Sequence, residues 1–202
     1  MSTPLSKVKD LNYDHHRRMT EMHHALVRSG GIADINRVDD LSYRTLLSSV
    51  PQGRDAILEL GSASGGQWPL LEEWLAPDGA IFGIDLYEPA VKAAQMKGFP
   101  IRVGFVEEMP YEDNMFDLVC SRHVMEHLGD VQKGMREILR VTKPGGYIAN
   151  VTPNMKYDAE PSHLNHLNEA EWARTWESEG LRLIAVSRHP FHGGEVHVVG
   201  KK

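Results

Sequence analysis

The sequence predicts an α/β protein: a doubly wound, seven-stranded sheet whose last strand runs antiparallel, with a helical cap at the N-terminus. Three observations predict it. From Ala56 onward, short apolar runs alternate with stretches of helical periodicity, the pattern of a parallel sheet covered on both faces. Pro and Gly punctuate the junctions, as in Pro77-Asp78-Gly79 and Lys143-Pro144-Gly145-Gly146. The last two apolar runs are joined by HPFHGG, which suits a hairpin and so reverses the final strand.

Each element follows in order. Tyr13 to Arg28 reads as a helix, with Met19, Met22 and Leu26 on one face and Gly30 and Gly31 as its stop. Asp40 to Val50 reads as a second helix, capped by Asp39 or Asp40 and halted before Pro51. This part is too short to bury its own core. Residues 1–50 are therefore expected to form a cap or lid, and residues 51–202 the main domain. Ala56–Leu60 is a strand, Trp68–Leu75 a helix, Ala80–Ile84 a strand ending at Asp85, and Pro89–Lys97 a helix with Pro in its first turn. Ile101–Val106 and Phe116–Cys120 are strands, Val131–Thr142 a helix, and Tyr147–Val151 a strand. Glu169–Ser178 is a helix with Asn168 as cap and Glu171 three residues on, a capping box. Leu181–Ser187 and Glu195–Val199 form the hairpin.

Composition narrows the function classes. Apolar residues make up 41% of the 202 and charged residues 25%, the balance of an ordinary globular chain. A net charge of −6 argues against a broad nucleic-acid surface, which wants clustered Lys and Arg. The single cysteine, Cys120, precludes a disulfide within the chain and points to a reducing compartment. The N-terminal residues lack the apolar centre of a signal peptide, and no apolar run approaches the ~18 residues of a membrane span. The expectation is a cytoplasmic protein with no membrane and no nucleic-acid partner. Oligomeric state is not written in the sequence; a homodimer is a working guess.

The first strand–turn–helix carries ELGSASGG, Glu59 to Gly66. In such a sheet, ligands bind at the carboxyl ends of the strands. Gly61 and Gly65 let backbone approach a ligand closely. The spacing Glu59-x-Gly61-x-x-x-Gly65 is not the G-x-G-x-x-G of a dinucleotide site. A carboxylate beside a pyrophosphate is repelled, whereas one beside an amine or a sulfonium is favoured. Asp85, at the end of the second strand in FGIDLY, is placed to accept hydrogen bonds from both hydroxyls of a ribose. A nucleoside with positive charge where NAD has phosphate satisfies both acids, and S-adenosylmethionine is such a molecule.

The motifs resemble those of the class I S-adenosylmethionine-dependent methyltransferases, of the small-molecule type similar to the ubiquinone and menaquinone biosynthesis enzymes. ELGSASGG resembles the family's first motif, with Glu59 for the usual Asp and Ala63 for the middle Gly. GIDLYEPAV resembles the second. EEMPYEDNMFDLVCSRHVMEH resembles the segment from the adenine contact through the fourth strand, and REILRVTKPGGYIANVTPN the helix, turn and fifth strand after it. The resemblance covers about Ala56 to Asn154 and implies a Rossmann-like fold. It implies that Glu59, Gly61, Ser62, Gly65, Asp85, Leu86, Val106, Glu107, Ser121 and His123 hold the cofactor. Phe105 stands where the family often has an Asp near the adenine, so Val106 backbone and Glu107 are the expected replacements.

SRHVMEH follows the fourth strand and so faces the site. His127, His123 and His163 are the candidates to take a proton from an acceptor hydroxyl, since imidazole titrates near neutrality. For His127 a structural role is an equal alternative. Arg122 is a candidate anchor for an anionic substrate. His163 and His166 lie three apart, a spacing known for metal ligands, but no third ligand is fixed, so no metal is expected. One of them touching the acceptor is the favoured alternative. His15, His16, His23 and His24 belong to a polar helix face that could close over the cofactor.

The resemblance implies methyl transfer to an O, N or C atom of a small-molecule acceptor by in-line displacement, leaving S-adenosylhomocysteine. The protein's part is orientation and exclusion of water. The rival readings are a catalytically inert cofactor-binding module that regulates a partner, and a nicotinamide oxidoreductase. The intact acids and glycines weigh against the first, and the missing G-x-G-x-x-G against the second. The acceptor itself is not named by the sequence.

Overall fold

The computed structural model describes residues 3–29, 32–154, 160–191 and 194–202, and within these the side chains outside positions 20, 23–29 and 32–38. One seven-stranded sheet has the order β3-β2-β1-β4-β5-β7-β6. The strands are β1 (Arg54–Leu60), β2 (Leu75–Asp85), β3 (Ile101–Val103), β4 (Phe116–Arg122), β5 (Thr142–Pro153), β6 (Arg182–His189) and β7 (Glu195–Lys201). β7 runs antiparallel to both neighbours, and the others are parallel.

The sheet is buried on both faces, and alternation along β1 and β4 divides the core. Leu58, Leu60 and Val119 pack on one face with Met135, Ile138 and Val141 of α5 (Val131–Val141) and Trp172 and Trp176 of α6 (Glu169–Ser178). Ile57, Leu118 and Cys120 pack on the other. There they meet α2 (Ile32–Leu47), α3 (Trp68–Leu71) and α4 (Glu88–Gln95) through Leu46, Leu47, Leu71 and Val91. Tyr43, Leu46 and Leu47 of α2, with Val50, thus share a core with β1. The C-terminal half of α2 is built into the main fold rather than set on it.

Local chemistry explains the boundaries. Asn168 caps α6 by accepting from Glu171 N–H while the Glu171 side chain accepts from Asn168 N–H. Asp130 caps α5 by accepting from Lys133 N–H.

Four elements depart from the expectations above. α1 spans Leu5–Ser29, eight residues before Tyr13, and its buried face carries Val8 and Asn12, while Met19 and Met22 are exposed. The apolar stripe marks the wrong face because the helix covers a partly polar cleft. α2 begins at Ile32, not Asp40. Trp68–Leu75 splits into α3 and a 3₁₀ turn at Glu72–Trp74, and Leu75 already belongs to β2. β3 stops at Val103, which pairs with Asp85, the last residue of β2. Gly30, Gly31 and the side chains of Leu26, His23 and His24 lie outside the described residues. Among the described residues no helix is long and apolar enough to cross a membrane.

Candidate active site

A cleft opens at the carboxyl ends of β1, β2 and β4, where such sheets bind small molecules. Gly61, Asp85 and Leu86 form one wall, Phe105, Val106 and Glu107 a second, and His123, Val124 and His127 a third. α1 roofs it with Val8, Asn12, His15 and His16.

The turn after β1 is shaped for close approach. Gly61 has φ +68°, and a Cβ there would collide with the Val124 side chain. Ala63 has φ +44°, a left-handed conformation that strains a residue with a Cβ. Its N–H donates to Asp85 Oδ2 at 2.8 Å, and Tyr87 N–H donates to Asp85 Oδ1 at 2.7 Å. Asp85 is thereby fixed at the cleft with acceptor capacity left on both oxygens.

Glu59 stands behind the turn. Trp68 Nε1–H donates to its carboxylate at 2.9 Å, and Tyr43 O–H at 3.4 Å. It is buried and is not among the residues lining the cleft. Burial pushes its pKa up to about 7, against the lowering effect of these hydrogen bonds.

Glu107 is buried in the opposite wall. Its Oε1 accepts from Gly129 N–H at 2.8 Å, while its Oε2 is buried with no hydrogen-bond partner. An orphan carboxylate oxygen at the edge of a cleft calls for a donor from a ligand.

The third wall is a histidine cluster. His123 has φ +55° and lies between two buried carboxylates, with Nε2 3.0 Å from Glu195 Oε1 and Nδ1 3.3 Å from Glu126 Oε1. Burial alone would depress its pKa, but the two carboxylates outweigh burial and raise it to about 9. His127 Nδ1 lies 3.0 Å from Ser162 C=O. A carbonyl only accepts, so Nδ1 carries the proton and Nε2 the lone pair. Burial first, with His163 nearby, lowers the pKa of His127. The His15 ring packs 5.0 Å from that of His127, and burial first, then His127, brings it down to about 4. His16 stacks on Tyr87 with ring centres 4.7 Å apart.

The structure thus gathers Gly61, Asp85, Leu86, Val106, Glu107, His123 and His127 around one cleft. Ser62 sits beneath the turn, its hydroxyl donating to Glu59 C=O. Gly65 faces Phe99, and Ser121 donates to Asn150 Oδ1 inside the sheet. His163 adjoins His127, with ring centres 4.7 Å apart. His166 is exposed, and residues 163–168 are irregular, so the two do not share a helical turn. Arg122 pairs with Asp39 at 2.8 Å. Val8, Asn12 and the acid partner Glu195 were not singled out from the sequence. Only the paired histidines of α1 gave a signal.

Residues 58–150 match the methyltransferase domain family. A probable S-adenosylmethionine-dependent methyltransferase of Mycolicibacterium smegmatis is 31% identical over 151 residues, 70% of this chain and 56% of that protein. A demethylmenaquinone methyltransferase of Roseiflexus castenholzii is 28% identical over 109 residues, 52% of this chain and 45% of that protein. The chain spans about half the length of the curated relatives it matches. The crystal structure of an S-adenosylmethionine-dependent methyltransferase from Aquifex aeolicus shares the fold, with TM-score 0.64 and 22% identity over 84% of this chain and 97% of that one. The chain is thus similar to the methyltransferase domain family over residues 58–150, and S-adenosylmethionine-dependent methyltransferases stand among its relatives and structural neighbours.

Proposed function

We propose that this protein methylates an O, N or C atom of a small-molecule acceptor, using S-adenosylmethionine. One observation supports this reading above the rest. Asp85 and Glu107 stand in facing walls of one cleft, the first with spare acceptor capacity and the second with an orphan oxygen. That pair fits a ribonucleoside: Asp85 for the ribose hydroxyls, and Glu107 Oε2 for an exocyclic amino group. The acids also suit a cationic ligand and disfavour a pyrophosphate. When bound, the cofactor supplies an already activated methyl group.

The chain's own residues do the rest. Gly61 leaves room for the ligand, Leu86 and Val106 give it apolar contact, and α1 excludes water above it. A hydroxyl acceptor must lose a proton. His127 Nε2, His15 and His16 are imidazoles at the cleft able to take it, being held neutral at pH 7 by burial. His123 already carries its proton and serves charge balance instead.

Calorimetric titration of S-adenosylmethionine, S-adenosylhomocysteine and NADH into wild type, Asp85→Ala and Glu107→Gln tests the reading. Micromolar binding of the first two, weakened at least about tenfold by each substitution and absent for NADH, is the expected result. Indifference to both substitutions sinks it.

A further inference from the structure

We propose that Glu126, His127 and His163 form a binding site for one divalent transition-metal ion, with an open position facing the cleft. One ligand atom from each lies within 4.8 Å of the other two. Metal–ligand distances of ~2.1 Å would bring those atoms to roughly 3.4 Å apart, a closure of up to about 1.4 Å.

Three features make this more than proximity. Glu126 is fully buried, and neither carboxylate oxygen has a hydrogen-bond partner. Its nearest cation is His123, with Nδ1 3.3 Å from Oε1, while the lone pair of His127 Nε2 stands 3.9 Å away. A buried carboxylate of this kind is costly unless something coordinates it. His127 donates its Nδ1–H to Ser162 C=O, which leaves Nε2 unprotonated beside Glu126. That is how metal-bound histidines are oriented, the second nitrogen tied to a carbonyl or carboxylate. The loop bearing His163 is also fastened to the turn bearing the other two. Leu164 N–H and Asn165 N–H both donate to Glu126 C=O, at 2.7 and 3.0 Å, and Asn165 Nδ2 donates to Leu128 C=O at 2.8 Å. The three ligands come from two separate segments, one with Glu126 and His127 and one with His163, that the backbone locks together.

Two imidazoles and one carboxylate suit Zn²⁺, Fe²⁺ or Mn²⁺ rather than Mg²⁺ or Ca²⁺, which prefer oxygen. Three protein ligands leave a position for substrate, and His127 lines the cleft. An acceptor oxygen would occupy that position, and with His127 serving as a ligand, His15 takes the proton. This role rests on the methyl-transfer reading; the ion site itself does not.

The test uses the full chain, stripped of metal and titrated with Co²⁺, followed by visible absorption. Wild type is expected to take up one Co²⁺ per chain, displaced by Zn²⁺, with affinity lowered at least about a hundredfold in Glu126→Gln and in His163→Ala. No uptake by wild type, or equal uptake by both variants, overturns the site. Should either variant fail to fold, proton resonances of wild-type Co²⁺ protein decide: hyperfine shifts on two imidazoles support the site, and none overturns it. S-adenosylhomocysteine binding by the metal-free chain is measured alongside, so failure of the metal site and failure of the cofactor reading are told apart.

Discussion

Glu195 Oε1 lies 3.0 Å from His123 Nε2, joining the start of β7 to the residue after β4 through a charge pair whose carboxylate is fully buried. His197 Nε2, 3.0 Å away, and the Ser42 hydroxyl complete the contacts of Glu195. The carboxyl is held far below the usual carboxylate range: these hydrogen bonds outweigh burial. Removing Glu195 leaves Glu126 as the one carboxylate against His123 and strips His197 of its partner. Glu195→Gln should lower unfolding free energy by ~3 kcal/mol and bring the His123 imidazole down from its raised pKa. Urea denaturation and an NMR titration of the imidazole check both. An unchanged titration would show that Glu195 does not set the charge on His123.

Gly61→Ala should cut cofactor affinity at least about tenfold, through a collision with the Val124 side chain and a disfavoured φ. In the double variant Gly61→Ala/Val124→Ala, the nearest Val124 atom of the present clash is removed, and only Cβ remains, at 3.8 Å. Part of the affinity should return. If the double variant binds no better than the single, the collision is not the cause.

Ala63 supplies an opposite case. A left-handed φ of +44° suits Gly and strains Ala. Ala63→Gly should stabilise the chain by up to ~1 kcal/mol, about 2–4 °C in Tm. The gain is tempered by the freedom glycine adds to the unfolded chain. A drop in Tm would place the strain elsewhere.

Glu59 gives the pH prediction. Its folded pKa of about 7 exceeds the ordinary 4.5 because burial penalises the charged form. The folded state therefore binds more protons than the unfolded between these values, and stability falls as pH rises through them. Glu59 faces Trp68, Tyr43 and Ser62, with Arg122 acting from a distance and Cys120 beside Tyr43. Glu59→Gln carries no such penalty. It should match wild type near pH 4.5 and exceed it at pH 8, by roughly 3 kcal/mol at most. Thermal melts across that window decide. Because Glu59 does not line the cleft, its S-adenosylmethionine affinity should change by less than about threefold.

What was legible in the sequence was whatever local chemistry dictates. Asn168 and Glu171 announce a capping box and form one. Asp85 announces a strand end at the ligand edge and lies there. The alternation of Ile57 and Leu58 in a continuous apolar run reflects a sheet covered on both faces. Glu59 shows where this reasoning stops, since its neighbours Tyr43 and Trp68 are set by packing across α2 and α3. The α1 roof was misread for a related reason: its inward face is chosen by the cleft, so Asn12 and His15 turn inward while Met19 and Met22 face out. Glu126 needed the fold to bring His163 back over it.

β7 follows every other strand in the chain, yet it inserts between β5 and β6. Because it runs backwards, its first residue, Glu195, reaches the ligand end of the sheet, opposite Pro153. One of the two carboxylates that balance His123 is therefore delivered by a strand threaded after β6. A chain folded only as far as β6 would hold the glycine turn, Asp85 and one carboxylate, Glu126, against His123, which gains its second only when β7 enters the sheet.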